Sequence, residues 1–377
     1  MKKTAGLLAA CVLLLAAWGV PALADDNMPD TSAEALIVTQ ADTGAVLAEK
    51  NADERMLIAS TTKIMTALLA LERCDPDEVV TVDPSWTGIE GSSMYLEPGQ
   101  ELTVRELLYG LMLASGNDAA VALACITAGD VESFSALMNE RAAALGCENT
   151  HFSNPNGLDA PDHYSSARDL ARITAAAIQN GDFCEIVSCT AKTVGENTFT
   201  NHNRLLTECD GVFGVKTGYT EAAGRSLVTC CERDGVTLLC VTLSDPDDWA
   251  DHEALYDWAF GLYEDRQLLS GGERWTVPVV GGLADEVSVL PSSPLSVPLR
   301  GEETAVLTVR LPAFVYAGVE AGETAGEVSA LIDGREAGSV PLVFEAAVPR
   351  EVSAAPTFFD RLRAIFGNGE REIYTLE

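Results

Sequence analysis

The sequence predicts an α+β domain, an antiparallel sheet with helices packed against it, followed by a small all-β domain. Three observations lead there. A strand hairpin opens the patterned chain, a run of amphipathic helices follows, and three β-rich segments with a closing helix come last. Beyond Gly271-Gly272 the pattern changes to short alternating segments without helices. The 377 residues leave room for two or three units at roughly 100–200 residues each.

In chain order, residues 34–48 read as a hairpin, with Ala35-Leu36-Ile37-Val38 and Ala45-Val46-Leu47 joined by a turn at Asp42-Thr43-Gly44. Residues 60–73 read as a helix with Ile64, Ala67, Leu68 and Leu71 on one face. Thr103 and Glu106 form a capping box before the stripe Leu107, Leu108, Leu111, Met112, and that helix is expected to run to Ala114. Asp130 to Leu145 is a further helix stopped by Gly146, and Ser166 to Asn180 another, stopped by Gly181. Val212–Tyr219, Ser226–Cys231 and Val236–Leu243 are strands, the last two joined at Asp234-Gly235. Residues 252–263 close the domain as a helix with Leu255, Trp258, Ala259 and Leu262 inward.

The expected organisation is a leader at 1–24, a first domain at 25–268, a β-sandwich-like domain at 269–350 and a tail at 351–377. In the β-domain, Trp275–Val280, Ala305–Leu311 and Gly326–Ile332 alternate, with turns at Pro291-Ser292 and Asp333-Gly334. The leader has Lys2 and Lys3, an apolar run to about Val20, and Ala22-Leu23-Ala24 as a small-residue cleavage site, which predicts export. The run is short for a membrane-spanning anchor, which needs ~20 apolar residues. In the tail, Phe358, Phe359, Leu362, Ile365 and Phe366 fall at helical spacing opposite Asp360, Arg361 and Arg363. An interfacial membrane helix and a short helix docked on the β-domain both fit that pattern.

With 47% hydrophobic and 21% charged residues the chain is globular, not disordered. Its formal net charge of −33 argues against a nucleic-acid partner, whose phosphates need a basic face. It argues equally against a polybasic membrane patch. Cys11 lies in the leader, and the remaining cysteines are odd in number, so at least one stays unpaired within the exported chain. Without a Cys-x-x-Cys pair and with 4 histidines, zinc is not expected, and no cofactor is called for.

Three short motifs carry the chemistry: Ser60-Thr61-Thr62-Lys63 opening a helix, Ser115-Gly116-Asn117 after a helix, and Lys216-Thr217-Gly218 in a strand. Singly each has a bland reading, as an N-cap, a helix-ending turn or a strand end. In this order and context they form one signal. Residues i and i+3 of a helix share a face, so Ser60 and Lys63 meet. A serine hydroxyl needs a base, and a neutral Lys63, its basicity lowered by burial or by Lys216, can take the proton. The backbone N–H of Ser60 and that of Tyr219, beside Gly218, are candidate oxyanion donors. Ser115 can relay a proton to the leaving group. Asn117 can bond both Lys63 and a substrate amide, and Lys216 and Thr217 can hold a substrate carboxylate.

On these motifs the chain resembles the low-molecular-mass penicillin-binding proteins that are serine-type D-alanyl-D-alanine carboxypeptidases. The resemblance runs from about Ala35 to Tyr263 and takes in Phe152–Leu158, His163–Asp169 and Gly211–Thr220. The β-region and tail resemble that family's C-terminal part. It implies a penicillin-binding, β-lactamase-like transpeptidase fold and an acyl-enzyme on Ser60. It also implies peptidoglycan stem peptides as substrates, β-lactams as acylating ligands, and a periplasmic or wall-facing site, with attachment of the tail to membrane left open. The sequence departs from some relatives in having no arginine in Ser244–Trp249 and in reading Asn201-His202-Asn203. Arg204 and Arg225 are the candidates to compensate, and the sequence does not separate them. A class A β-lactamase would need a Glu-x-x-Leu-Asn loop, which does not occur between Asn117 and Lys216. A crosslink-cleaving endopeptidase would carry the same motifs, and a non-catalytic wall-binding module could keep them as relics.

Overall fold

A computed structural model describes residues 28–350. The leader at 1–24 and the tail at 351–377 lie outside the described residues. The chain divides into two compact units, the first ending at Leu262 and the second starting at Tyr263.

The first unit is built on a five-stranded antiparallel sheet. Its strands are β1 (Ala35–Gln40), β2 (Val46–Lys50), β7 (Val212–Thr220), β8 (Gly224–Arg233) and β9 (Val236–Leu243), in the order β2-β1-β9-β8-β7. Two short ribbons lie between, β3 (Val79–Thr81) with β4 (Glu101–Thr103) and β5 (Ala191–Val194) with β6 (Asn197–Thr200). Asp234 and Gly235 both take positive φ (51° and 78°), the two-residue turn that matches strand twist and joins β8 to β9 as expected.

The helices are α1 (Lys63–Arg73), α2 (Val104–Met112), α3 (Asn117–Ala128), α4 (Val131–Ala144), α5 (Ala167–Ala177), α6 (Gly181–Ser188), α7 (Leu205–Glu208) and α8 (Asp248–Phe260). The capping box of Thr103 and Glu106 is formed in both directions, and Asp130 and Ser166 cap α4 and α5. Ile64, Leu68, Leu107, Leu111, Phe134 and Ile173 meet in one core with the inner sheet residues Ile37, Val228 and Val241. That core fixes α1, and hence the start of α1, against the sheet.

Four details differ from expectation. The first turn of the predicted helix at 60–73 is a 3-10 helix, Ala59–Thr62, that runs into α1. Helix α2 ends at Met112, and α3 begins at Asn117, a helix the sequence pattern did not announce. Gly181, expected as a stop, is the first residue of α6, whose N-terminus is capped by the Asn180 side chain. Helix α8 starts at Asp248 and buries Tyr256 and His252 as well as Leu255 and Ala259. There Thr229 Oγ lies 2.7 Å from His252 Nδ1 and 2.6 Å from the Tyr256 hydroxyl, so α8 is fastened to β8 by buried hydrogen bonds.

The second unit is all-β. Strands β10 (Tyr263–Leu269) and β13 (Leu295–Arg300) pair as a ribbon. A six-stranded sheet follows the order β14-β16-β17-β12-β11-β15, from Val306–Arg310, Thr324–Ile332, Arg335–Phe344, Glu286–Pro291, Trp275–Val280 and Val315–Tyr316. Strand β10 crosses the boundary expected at 268/269 and pairs within this unit. Two apolar clusters fill it, one around Val297, Val328 and Leu342 and one around Val277, Val289 and Phe344.

Candidate active site

The three motifs converge where the 3-10 helix meets β7 and the connection from α2 to α3. Ser60 is half-buried at the mouth of a cavity of about 310 Å³ that Ser115, Thr217, Gly218 and Arg225 also line. In a 3-10 helix residues i and i+3 eclipse one another. Lys63 therefore lies under Ser60, with Nζ 2.9 Å from Ser60 Oγ.

Lys63 is 0% exposed, and its amine has two further partners, Asn117 Oδ1 at 2.7 Å and the Asn156 carbonyl at 2.5 Å. Both of these groups only accept. An ammonium would donate to all three oxygens; once neutral, the amine can keep its two hydrogens on the carbonyl oxygens and turn its lone pair to the Ser60 hydroxyl. Burial, and after it the charge of Lys216, hold Lys63 well below the ordinary lysine value, against a smaller opposing pull from Asp118. Burial and the neighbouring cation thus favour the neutral amine, and the three-partner geometry can accommodate it.

Lys216 is 2% exposed, and burial pushes it down to about 7. Its Nζ donates to the Thr217 carbonyl at 2.9 Å. Asn117, the first residue of α3, donates from its amide to the Glu90 carbonyl at 2.6 Å while accepting from Lys63. Ser115 takes φ +58° in the α2–α3 connection and is 4% exposed. Its hydroxyl makes no hydrogen bond among the described residues, so the contact expected of a proton relay is not made to Lys63 or Lys216. Tyr219, two residues past Thr217 on β7, lines the same cavity, its side chain 65% exposed.

The 3-10 helix is clamped from two sides. Ala59 takes φ +46°, an uncommon conformation for a residue with a Cβ and one that costs about 1–3 kcal/mol. It is held by glycines. A Cβ on Gly218 would stand 3.2 Å from Ser60 N, so β7 lies directly against the nucleophile's backbone. A Cβ on Gly157 would overlap the Ala59 carbonyl oxygen and stand 3.0 Å from Ser60 N. A hydrogen-bond chain supports the same peptide. The Ser153 N–H donates to His163 Nδ1 at 3.1 Å, so the neutral ring carries its hydrogen on Nε2. That nitrogen is 2.8 Å from Thr62 Oγ, which donates to the Ala59 carbonyl at 2.8 Å. Burial lowers His163 to about 4, which keeps it neutral.

Sequence reasoning brought together Ser60, Lys63, Asn117, Lys216, Thr217 and Gly218. It missed the carbonyls of Asn156 and Glu90, the clamp at Gly157 and the His163 chain. The turn-rich run Asn154-Pro155-Asn156-Gly157 was the available signal, and it indicated a loop without saying what the loop holds.

Comparison with known proteins decides the family. The family described as D-alanyl-D-alanine carboxypeptidase matches residues 23–247. The chain belongs to that family. Residues 263–350 match the family described as penicillin-binding protein 5, C-terminal domain. The chain is similar to the D-alanyl-D-alanine carboxypeptidase DacF of Bacillus subtilis, at 33% identity over 82% of this chain and 84% of the relative. It is similar to DacA of Escherichia coli K12 at 33% identity over 93% of each chain. Among solved structures, penicillin-binding protein 5 from Haemophilus influenzae superposes with a TM-score of 0.61 at 29% identity, over 85% of this chain and 99% of that one. The architecture is that of the low-molecular-mass penicillin-binding proteins: sheet and helices first, an all-β domain second.

Proposed function

We propose that the chain is a serine-type D-Ala-D-Ala carboxypeptidase that removes the terminal D-alanine of peptidoglycan stem pentapeptides through an acyl-enzyme on Ser60. One observation carries this reading beyond family membership: the buried Lys63 amine, 2.9 Å from Ser60 Oγ and so within reach of its proton. Lys63 takes the Ser60 proton as Oγ attacks the carbonyl carbon of the penultimate D-alanine. The C–O bond forms, and the carbonyl electron pair moves onto oxygen, where the N–H groups of Ser60 and Tyr219 receive it. The carbonyl then re-forms, the C–N bond breaks, and the departing amine takes a proton delivered through Ser115. Water attacks the ester with Lys63 as base, which frees Ser60. Lys216 and Thr217 hold the substrate's carboxylate end, and Asn117 its amide. The same attack opens a β-lactam ring and leaves it esterified to Ser60.

The reading places the enzyme outside the cytoplasmic membrane, after removal of residues 1–24, at the periplasmic or wall face. It assigns the amphipathic run 357–366 to a membrane surface. Deletion of 351–377 should move the enzyme from the membrane to the soluble fraction.

The test is incubation of the mature protein with diacetyl-L-Lys-D-Ala-D-Ala and detection of free D-alanine. The wild type should release D-alanine, and Ser60→Ala should release none while its melting curve is retained. No release by the wild type, or release by Ser60→Ala, would overturn the reading.

A further inference from the structure

A hydrolase that acts at a chain terminus must tell a terminal carboxylate from a continuing peptide. That distinction needs positive charge or convergent donors open to the cavity. Lys216 is buried and half-titrated near neutrality, and Thr217 contributes a hydroxyl. Neither is a full charge at the cavity wall. Arg225 is. Among the described residues that line the cavity it carries the one guanidinium. His202, the other basic side chain there, is shifted down by desolvation and by the Lys216 charge, which favours its uncharged form.

Arg225 enters from β8, directly across the ladder from Tyr219 and one pair beyond Gly218 and Ser226. Its orientation is fixed on one side only. Nε donates to Asp248 Oδ1 at 3.0 Å, and Nη2 reaches Asp248 Oδ1 and Oδ2 at 2.8 and 3.0 Å. Nη1 makes no hydrogen bond among the described residues. The guanidinium carbon stands 5.4 Å from the centroid of Trp249, which gives the plane a stacking surface. The Asp248 side chain is 2% exposed and that of Arg225 40%. The ion pair is therefore a dipole with its negative end buried and its positive end open to the cavity. Arg204 stacks on the same ring at 5.2 Å, but it pairs with Glu208 at 3.0 Å and does not line the cavity.

We propose that Arg225 recognises the C-terminal carboxylate of the substrate peptide through its free Nη1 side, with Asp248 as its positioning residue and Trp249 as its stacking surface. This rests on the carboxypeptidase reading above and adds to it the residue that selects for a free chain end.

The experiment compares diacetyl-L-Lys-D-Ala-D-Ala with its C-terminal amide, by release of D-alanine or D-alaninamide from the mature protein. The wild type prefers the acid. Arg225→Gln loses on the order of 10- to 100-fold in kcat/KM on the acid, the worth of a charge-assisted hydrogen bond, and changes within about twofold on the amide. Because Arg225→Gln strands a buried carboxylate, Arg225→Gln/Asp248→Asn is measured beside it and should show the same collapse of the acid-to-amide ratio. Asp248→Asn alone should lower the ratio partway, which a purely structural role would not do. Arg204→Gln should keep the wild-type ratio. If the wild type shows no acid preference, or if both Arg225 variants retain it, the inference is overturned while the carboxypeptidase reading stands. If the wild type cleaves neither peptide, it is the carboxypeptidase reading that fails, and this inference with it.

Discussion

Gly157 lies against the peptide that precedes the nucleophile, and replacing it with alanine tests how that peptide is held. The new Cβ would overlap the Ala59 carbonyl oxygen and stand 2.5 Å from the Ala59 carbonyl carbon. Carbon atoms rest at about 3.5 Å or more, so the Ala59–Ser60 peptide must recede by about 1 Å. A displacement of that size at a reacting group costs about 100-fold in rate. Gly157 also takes φ +90°, a conformation that alanine adopts at a cost of about 1–2 kcal/mol. Gly99 separates the two effects. It takes φ +82°, and its Cβ would meet nothing within 4 Å. Gly99→Ala should lose about 1–2 kcal/mol of stability and acylate within about twofold of wild type. Gly157→Ala should lose more stability and about 100-fold in the second-order rate of acylation by a fluorescent penicillin. If the two variants acylate alike, the clamp on Ser60 is not what sets the rate.

Other consequences follow from the same geometry. Lys63→Ala should lower the acylation rate about 100- to 10,000-fold, the range for removal of a general base, measured with the same penicillin. Lys216→Ala removes a positive neighbour that disfavours protonation of Lys63, so Lys63 should hold its proton to higher pH. The acid limb of the kcat/KM–pH profile should move upward, although burial still holds it below the ordinary lysine value. Asp245 shares the Ser32 hydroxyl with Asp251, at 2.6 and 3.0 Å. One hydroxyl hydrogen cannot serve both carboxylates, and burial first among the causes pushes Asp245 up to about 6. With the folded value above the unfolded one, the stabilising contribution is complete below the unfolded value and is lost as pH rises through about 6. Asp245→Asn should therefore stabilise the fold at pH 8, by at most about 3 kcal/mol and seen as a raised melting temperature, and change the melting temperature little at pH 4.

The sequence made the sheet legible because β8 and β9 are continuous β-rich runs joined by Asp234-Gly235, a dipeptide suited to two positive φ values. It concealed α3. Asn117-Asp118-Ala119-Ala120-Val121-Ala122-Leu123-Ala124 packs into the core over most of its surface, so no polar face marks the helical period. It concealed the start of α6 because Gly181 was read as a helix stop, whereas the Asn180 side chain caps the turn that follows. In the site, Ser60, Lys63, Asn117 and Lys216 were legible because their chemistry belongs to side chains at characteristic spacings. The carbonyls of Asn156 and Glu90 were not, since every residue has one and only tertiary packing aims it. Arg225 was legible only as one of two candidates, with Arg204, which the sequence did not separate. What distinguishes it is the buried Asp248 on one side and the cavity on the other, and both arise from how α8 packs beside β8.

The central claim is that Ser60, activated by a neutral Lys63, is the acylated residue. Intact-mass measurement after benzylpenicillin treatment, followed by peptide mapping, tests it most directly. The wild type should gain one penicilloyl group, mapped to the peptide that contains Ser60, and Lys63→Ala should gain it far more slowly. An adduct mapped to any other residue, or formed at the wild-type rate without Lys63, would contradict the account.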